Sequence, residues 1–318
     1  MQSIDSQSAL NPLCSPIYRY SGQPIYAVHE VVDESLEIVR QLHLQPRPVT
    51  GYPTGLTDLD YMLSGLQPGS LTVIASRPSM GKSAFALNIV QHLSIKSTIP
   101  TAVFSLELAK EQLVMRMLLS IARVDTGRAR AGHLSEADLH KLDTARDLLR
   151  KSTFYIDDSS GISITALLAK AIRLKVDHNV QVIVIDYLQL MRDDSRSALN
   201  PTEISRISSS LKVLARELGI AVVLLSQLHS SVESRKSMKC RPMISDLGNT
   251  GSLEDDADVI LLLYREAVYC KSCRIRDGSC VHNHERDAEI IIAKHKHGPV
   301  GSVYLNYYGE TMSFEDLR

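Results

Sequence analysis

Three consecutive residues, Gly81-Lys82-Ser83, combine a backbone without a Cβ, a mobile cation and a hydroxyl. They close the run Ser76-Arg77-Pro78-Ser79-Met80-Gly81-Lys82-Ser83. That set suits an oligophosphate. Successive backbone N–H groups and a helix N-terminus can face the phosphates, and Gly81 lets the backbone come close. Lys82 offers a point charge to the β- and γ-phosphates, and the Ser83 hydroxyl can ligate Mg2+. The context agrees. The apolar run Leu71-Thr72-Val73-Ile74-Ala75 precedes the loop and a helical pattern over 84–93 follows it, which makes a strand, loop and helix in the order of a phosphate-binding P-loop. One position departs from that pattern: Ser76 stands where the first glycine is usual.

A second group belongs to the same chemistry. Gln181-Val182-Ile183-Val184-Ile185-Asp186 is a buried-strand run that ends in a carboxylate. In P-loop enzymes such an aspartate closes a neighbouring strand and holds the Mg2+ shell. The plain alternative is a core strand followed by a turn residue. Ligands of open α/β sheets bind at the carboxyl ends of the strands, so both motifs are expected on one edge.

The elements that must position these residues follow from the wider pattern. From Thr50 onward apolar runs alternate with helical periods, which argues for a mostly parallel α/β sheet. Strands are predicted over 71–75, 101–106, 154–157, 182–186, 221–226 and 259–264, with helices between them. The clearest helix covers 200–218, with Asn200 as N-cap, Pro201 in the first turn, Glu203 at the third position and Gly219 as the stop. Another starts at Ser135 with Asp138 at its third position. After Arg265 short β segments over 288–293 and 302–307 predict an antiparallel extension. Upstream, residues 1–24 read as a flexible arm rich in Ser, Pro and Asn, and 25–44 carries an apolar stripe at helical spacing that ends at Gln45-Pro46-Arg47-Pro48. That stripe needs a surface, either on its own domain or on a neighbouring subunit.

The 318 residues are 44% apolar and 22% charged, with a net charge of −1. This is ordinary globular composition without a global basic footprint, so any nucleic-acid binding must use local patches. No apolar run reaches the ~18 residues that would span a membrane. Five cysteines argue against a disulfide framework, no signal peptide is evident, and a cytoplasmic location is expected.

With these motifs in order, the chain resembles the C-terminal motor domain of DnaB-type replicative DNA helicases from about residue 25 to the end. The matching residues are Thr50-Gly51, Thr54-Gly55-Leu56-Thr57-Asp58-Leu59-Asp60, Gly65-Leu66-Gln67-Pro68, the loop 76–83, Phe104-Ser105-Leu106-Glu107, Tyr155 to Gly161, Ile185 to Met191, Leu225-Ser226-Gln227-Leu228, Ser245-Asp246-Leu247, and Lys294 through Gly298-Pro299. The resemblance implies a RecA-like P-loop NTPase core over 50–318, a linker helix and Pro-rich connector over 25–49, and the absence of the family's globular N-terminal collar. It implies an ATP- and Mg2+-dependent helicase that unwinds duplex DNA by translocating 5′ to 3′ on single-stranded DNA as a homo-oligomeric, six-membered ring. Primase and a loader are candidate partners, and no membrane is involved.

The resemblance also implies individual roles. Glu107 polarises the attacking water, and Asp186 orders Mg2+ with Ser83. Gln227 senses the γ-phosphate, and Lys294 and Lys296 reach the neighbouring subunit's nucleotide. Residues 25–44 dock on the adjacent subunit. Two further positions depart from the family. Lys296 stands where an arginine is common, and Gly248 follows Ser245-Asp246-Leu247 where an arginine is common.

Two segments are candidates for touching DNA: 191–199, where Arg192 and Arg196 sit beside Asp193 and Asp194, and 229–251, where Arg235, Lys236, Lys239 and Arg241 oppose Glu233 and Asp246. The alternative for both is a solvated loop. Cys270, Cys273, Cys280, His282 and His284 fall outside the family pattern. They offer the ligand types of a small structural Zn2+ site, against the alternative of reduced surface cysteines. Two other functions stay open: a RecA-like DNA-binding ATPase that does not unwind, and an interaction protein that modulates a full-length helicase.

Overall fold

The computed structural model describes residues 27–44, 49–192, 201–235, 240–270, 273 and 284–317. The arm predicted over 1–24 and the prolines of the connector lie outside them. Two compact units separate at Arg47 and Pro48. The first contributes one helix, α1 (Val28–Leu44), whose residues Val28, Val31, Val32, Leu36 and Val39 are exposed.

The second unit is built on one nine-stranded sheet. In chain order its strands are β1 (Leu71–Ser76), β2 (Thr101–Ser105), β3 (Phe154–Asp157), β4 (Val182–Asp186), β5 (Ala221–Gln227), β6 (Val259–Tyr264), β7 (Asp287–His295), β8 (Gly301–Tyr308) and β9 (Ser313–Asp316). In space they run β3-β2-β4-β5-β1-β6-β7-β8-β9. From β3 to β6 every pairing is parallel, and from β6 to β9 every pairing is antiparallel. The expected parallel core and antiparallel extension are both present. The central strands β1, β2, β4 and β6 are buried at every position. That is why they read as continuous apolar runs rather than as alternations, with both faces covered by helices.

The helices that bear on the site are α2 (Thr57–Leu63), α3 (Lys82–Gln91), α4 (Lys110–Ala122), α5 (Thr126–Arg130), α6 (Glu136–Arg150), α7 (Ile164–His178), α8 (Pro201–Leu218) and α9 (Gly251–Asp256). Helix α6 opens with the capping box expected at Ser135 and Asp138. Helix α8 buries Ile204, Ile207, Leu211, Leu214 and Ala215, the i, i+3, i+4 spacing of one face. It ends before Gly219, whose φ is +60°. The N-cap expected at Asn200 lies outside the described residues. Before α2, the Asp60 carboxylate accepts N–H bonds from Thr54 at 2.7 Å and Gly55 at 3.2 Å. The Thr54 to Asp60 motif is therefore a self-closed turn that feeds the sheet.

Candidate phosphate-binding cleft

Four strand ends converge on one edge of the sheet. The register sets Ser76 beside Gln227 and Ser105 beside Asp186. The loop after β1, Glu107 just past β2, Asp186 closing β4 and Gln227 closing β5 therefore share the carboxyl edge of the parallel strands. A cleft of about 390 Å³ opens there, lined by Ser76, Arg77, Pro78, Ser79, Gly81, Lys82, Ser83, Glu107 and Gln227 among the residues singled out from the sequence. Met80 is buried beneath the loop, 2% exposed, and serves as its apolar anchor.

The loop's backbone explains its residue types. Ser79 and Gly81 take positive φ, +67° and +97°, which turns successive N–H groups inward. At Gly81 an added Cβ would lie 3.2 Å from Phe314 Cζ, so the glycine answers both a dihedral and a steric demand. Ser76 is not among the positive-φ residues. It continues the extended strand, so a serine there costs the loop nothing in backbone conformation. No side chain caps α3 at Gly81, which leaves that helix N-terminus suited to an anion.

Lys82 Nζ donates to Asp186 Oδ1 at 3.2 Å and lies 4.6 Å from the centroid of the Tyr187 ring. Burial lowers the Lys82 pKa, and the charges of Asp186 and Glu107 oppose that shift without cancelling it. A cation held between two carboxylates with its ordinary affinity for a proton reduced is a group that gains from an arriving phosphate. Asp186 is 8% exposed, whereas Glu107 is exposed in the cleft.

Sequence reasoning passed over several residues here. Arg116 of α4, Tyr187, Tyr307 of β8 and Met312 also line the cleft. Gln189 donates to Ser226 Oγ at 3.0 Å and to the Gln227 carbonyl at 3.2 Å, and it accepts from the Gln227 N–H at 3.2 Å. Gln227 is thus held by its backbone, with its side chain left to the cleft. Arg77 donates to the Leu228 carbonyl at 2.8 Å and pairs with Glu233 at 2.8 Å, tying the loop to the segment after β5. Arg265 stacks 3.9 Å over the Tyr307 ring. Tyr187 and Gln189 lie within the Ile185 to Met191 motif. Arg116, Tyr307 and Met312 sit in segments without a motif.

Lys294 and Lys296 are not in this cleft. β7 runs against β6 with Lys294 opposite Ile260 and His295 opposite Val259, at the end of β6 that pairs with Thr72 of β1. Both lysines lie at the opposite edge of the sheet from the P-loop. Lys294 Nζ donates to the Glu254 and Asp255 carbonyls, the latter at 3.3 Å. The Lys296 N–H donates to the Asp258 carbonyl at 2.8 Å, and its ammonium lies 3.9 Å from the Asp258 carboxylate.

The loops considered for DNA are partly engaged inside the protein. Arg235 pairs with Asp246. Arg241 donates to both Glu289 oxygens at 3.0 and 2.6 Å, and to Ser302 Oγ at 3.1 Å. Neither guanidinium is a free cation. Lys236, Lys239, Asp193, Asp194 and Arg196 lie outside the described residues. Gly248 adopts φ 63°, ψ −134°, a region that residues with a Cβ avoid, so this chain's backbone here suits glycine rather than arginine.

Residues 51–316 match the DnaB-like helicase C terminal domain family. The replicative DNA helicase DnaC of Bacillus subtilis is 42% identical over 292 residues, 92% of this chain and 62% of that protein. DnaB of Geobacillus stearothermophilus stands at the same identity and coverage. The chain thus spans about three-fifths of the length of these relatives. Among solved structures, one described as an ATPase domain superposes with a TM-score of 0.82 at 34% identity, covering 93% of this chain and all of that domain. The structure of a DnaB-like replicative helicase and its interactions with primase superposes at 0.78 with 32% identity, covering 93% of this chain and 68% of that one.

Proposed function

The chain belongs to the DnaB-like helicase C-terminal domain family, and on that premise we propose that it is the ATP-hydrolysing motor of a replicative DNA helicase, working as a ring that moves 5′ to 3′ along single-stranded DNA. The observation that carries the reading is the convergence of the P-loop, Glu107, Asp186 and Gln227 on one sheet edge. A bound nucleoside triphosphate would seat its β- and γ-phosphates on the 76–83 loop and the α3 N-terminus. Lys82 leaves Asp186 for the phosphate oxygens. The hydroxyl of Ser83 and the carboxylate of Asp186 are hard oxygen donors of the kind Mg2+ takes, with waters completing its shell. When bound, the ion neutralises charge that develops on the phosphates. Glu107, exposed in the cleft, holds and polarises the attacking water. Gln227, fixed through Gln189, contacts the γ-phosphate and passes its presence to the segment after β5.

Lys294 and Lys296 face the opposite edge and serve the nucleotide of a neighbouring subunit. The exposed stripe of α1 docks on an adjacent subunit. Among the described residues no helix is long and apolar enough to cross a membrane. DNA is held by the ring's inner loops through its backbone, with little sequence preference. The test measures ATP turnover with and without single-stranded DNA, together with strand displacement on a forked duplex in the presence of Mg2+. DNA-stimulated turnover with displacement is expected. Turnover without displacement overturns the helicase reading, and no turnover overturns the motor reading.

A further inference from the structure

We propose that Cys270, Cys273 and His284 form a structural Zn2+ site that pins together the two ends of the β6–β7 connection. Their ligand atoms all lie within 4.8 Å of one another. Around tetrahedral zinc, Zn–S bonds of about 2.3 Å and Zn–N bonds of about 2.1 Å put neighbouring donor atoms about 3.5–3.8 Å apart. Closure thus needs roughly an ångström of side-chain adjustment. Cys273 and His284 are 8% and 7% exposed, which is not the setting of incidental surface thiols.

The backbone is arranged for the purpose. Cys270 follows the turn Glu266–Val268, and its N–H donates to the Glu266 carbonyl at 3.1 Å. Cys273 stands three residues on, the Cys-x2-Cys spacing that brings two thiolates to one ion. His284 sits just ahead of β7, and its carbonyl accepts the Asp287 N–H at 3.2 Å. The pair therefore comes from the exit of β6 and the imidazole from the entry to β7.

The position gives the fastening a consequence. Cys273 lines a cavity together with Arg265 and Tyr307, and Arg265 stacks on the Tyr307 ring, which is a wall of the P-loop cleft. An ion at this point braces the segment that carries Arg265. Binding displaces one proton from each thiol, leaving two thiolates and a neutral imidazole on the metal. These three donors leave one position for a water. Cys280 and His282, grouped with them from the sequence, lie outside the described residues.

The test starts with metal analysis of the full chain, expressed and purified without added zinc or chelator. One zinc per chain is expected, and a stoichiometry below about one-tenth overturns the site. Replacement of the zinc by Co2+ is expected to give the intense visible absorption of a tetrahedral ion and a thiolate-to-metal charge-transfer band. An octahedral spectrum without that band overturns it. Cys273→Ser is expected to lose the zinc, and retention of a full equivalent overturns the assignment. Should Cys273→Ser fail to fold, His284→Cys decides. It is expected to keep one zinc and to strengthen the charge-transfer band of the Co2+ form, and an unchanged band overturns the role of His284. None of these readouts depends on helicase activity, so failure of the motor reading and failure of the metal site are separately visible.

Discussion

Lys296→Ala isolates the contribution of the distant edge. The side chain is 58% exposed and 3.9 Å from Asp258, and an exposed pair of that kind is worth less than about 1 kcal/mol, so the variant is expected to fold. Its influence on its own cleft is negligible. Lys296 sits beside the start of β1 and the P-loop follows its end; five residues at ~3.3 Å each separate them by about 16 Å. Across that distance in water two unit charges interact by about 0.3 kcal/mol, before screening over a Debye length of ~8 Å reduces it further. An effect in cis therefore stays below about twofold. Acting in trans, a cation on a neighbour's γ-phosphate has far more to lose: arginine fingers contribute about 10³–10⁵ to turnover in GTPases, and a lysine, which lacks the planar fork, contributes part of that. ATP turnover by Lys296→Ala is expected to fall at least about tenfold with nucleotide affinity nearly unchanged, and Lys296→Arg is expected to exceed the parent. The decisive assay co-expresses Lys296→Ala with Lys82→Ala, so that rings assemble from both. Each is strongly impaired alone, yet in a random ring about one interface in four pairs an intact P-loop with an intact Lys296. Turnover should reappear in the mixture. Parent-level turnover by Lys296→Ala, or a mixture as dead as its components, refutes the reasoning.

Glu107→Gln is expected to bind nucleotide as the parent does and to lose hydrolysis, measured by equilibrium binding beside single-turnover kinetics; hydrolysis at the parent rate removes Glu107 from its role. Arg241→Leu is expected to destabilise the fold by about 1–3 kcal/mol at pH 7, because Glu289 is left buried without its partner. Burial pushes the Glu289 carboxyl up, but the hydrogen bonds from Arg241 and Ser302 outweigh it and hold the pKa below its ordinary value. This stabilisation is complete above the unfolded glutamate value of about 4.3 and is lost as pH falls through the folded pKa, so the gap between parent and variant should narrow below about pH 4 in denaturant titrations. An equal gap at both pH values rules out the ion pair as its source. Replacing Val32 and Leu36 with Glu should shift the protein toward monomer in sedimentation velocity; an unchanged oligomer means α1 does not bury its stripe on a neighbour.

What the sequence made legible was whatever a local pattern encodes. The strands over 154–157, 182–186 and 259–264 appear with those bounds; the last two are buried at every position and read as bare apolar runs, and the first is a half-buried edge strand. The P-loop was readable because strand, loop and helix are contiguous. Arg116, Tyr307 and Met312 were not, since their place in the cleft comes from how α4 and the β8–β9 hairpin fold back over the loop, not from their neighbours in the chain. The four-residue β9 is too short to carry a period, and Phe314 in it matters through its contacts with Phe85 and Tyr307. The charges were legible only in part. The sequence set Asp246 against the arginines of its own segment, and it pairs with Arg235, but Glu289 lies forty-eight residues from Arg241 and its pairing leaves no trace in local composition.

The same register that assembles the cleft sets Lys294 and Lys296 apart from it. Parallel strands put every carboxyl end on one edge, so the 76–83 loop, Glu107, Asp186 and Gln227 gather together. The antiparallel return of β7 sends Lys294 and Lys296 to the other edge, where Lys294 donates to the Glu254 and Asp255 carbonyls and the Asp258 carbonyl accepts the Lys296 N–H; the Asp258 carboxylate also accepts the Leu71 N–H at 2.8 Å and the Lys212 ammonium at 2.6 Å. A side chain whose backbone is held at the amino edge, about 16 Å from its own phosphate loop, cannot swing round to reach it. It can meet one only where a second copy presents its carboxyl edge. Such a contact joins unlike surfaces, and repeated head to tail it closes into a ring when the rotation per subunit permits. Under the proposed trans role, then, the ring would be part of the motor rather than an accessory to it, because cleft and lysines lie on opposite edges of one sheet and hydrolysis at one subunit would depend on the position of its neighbour.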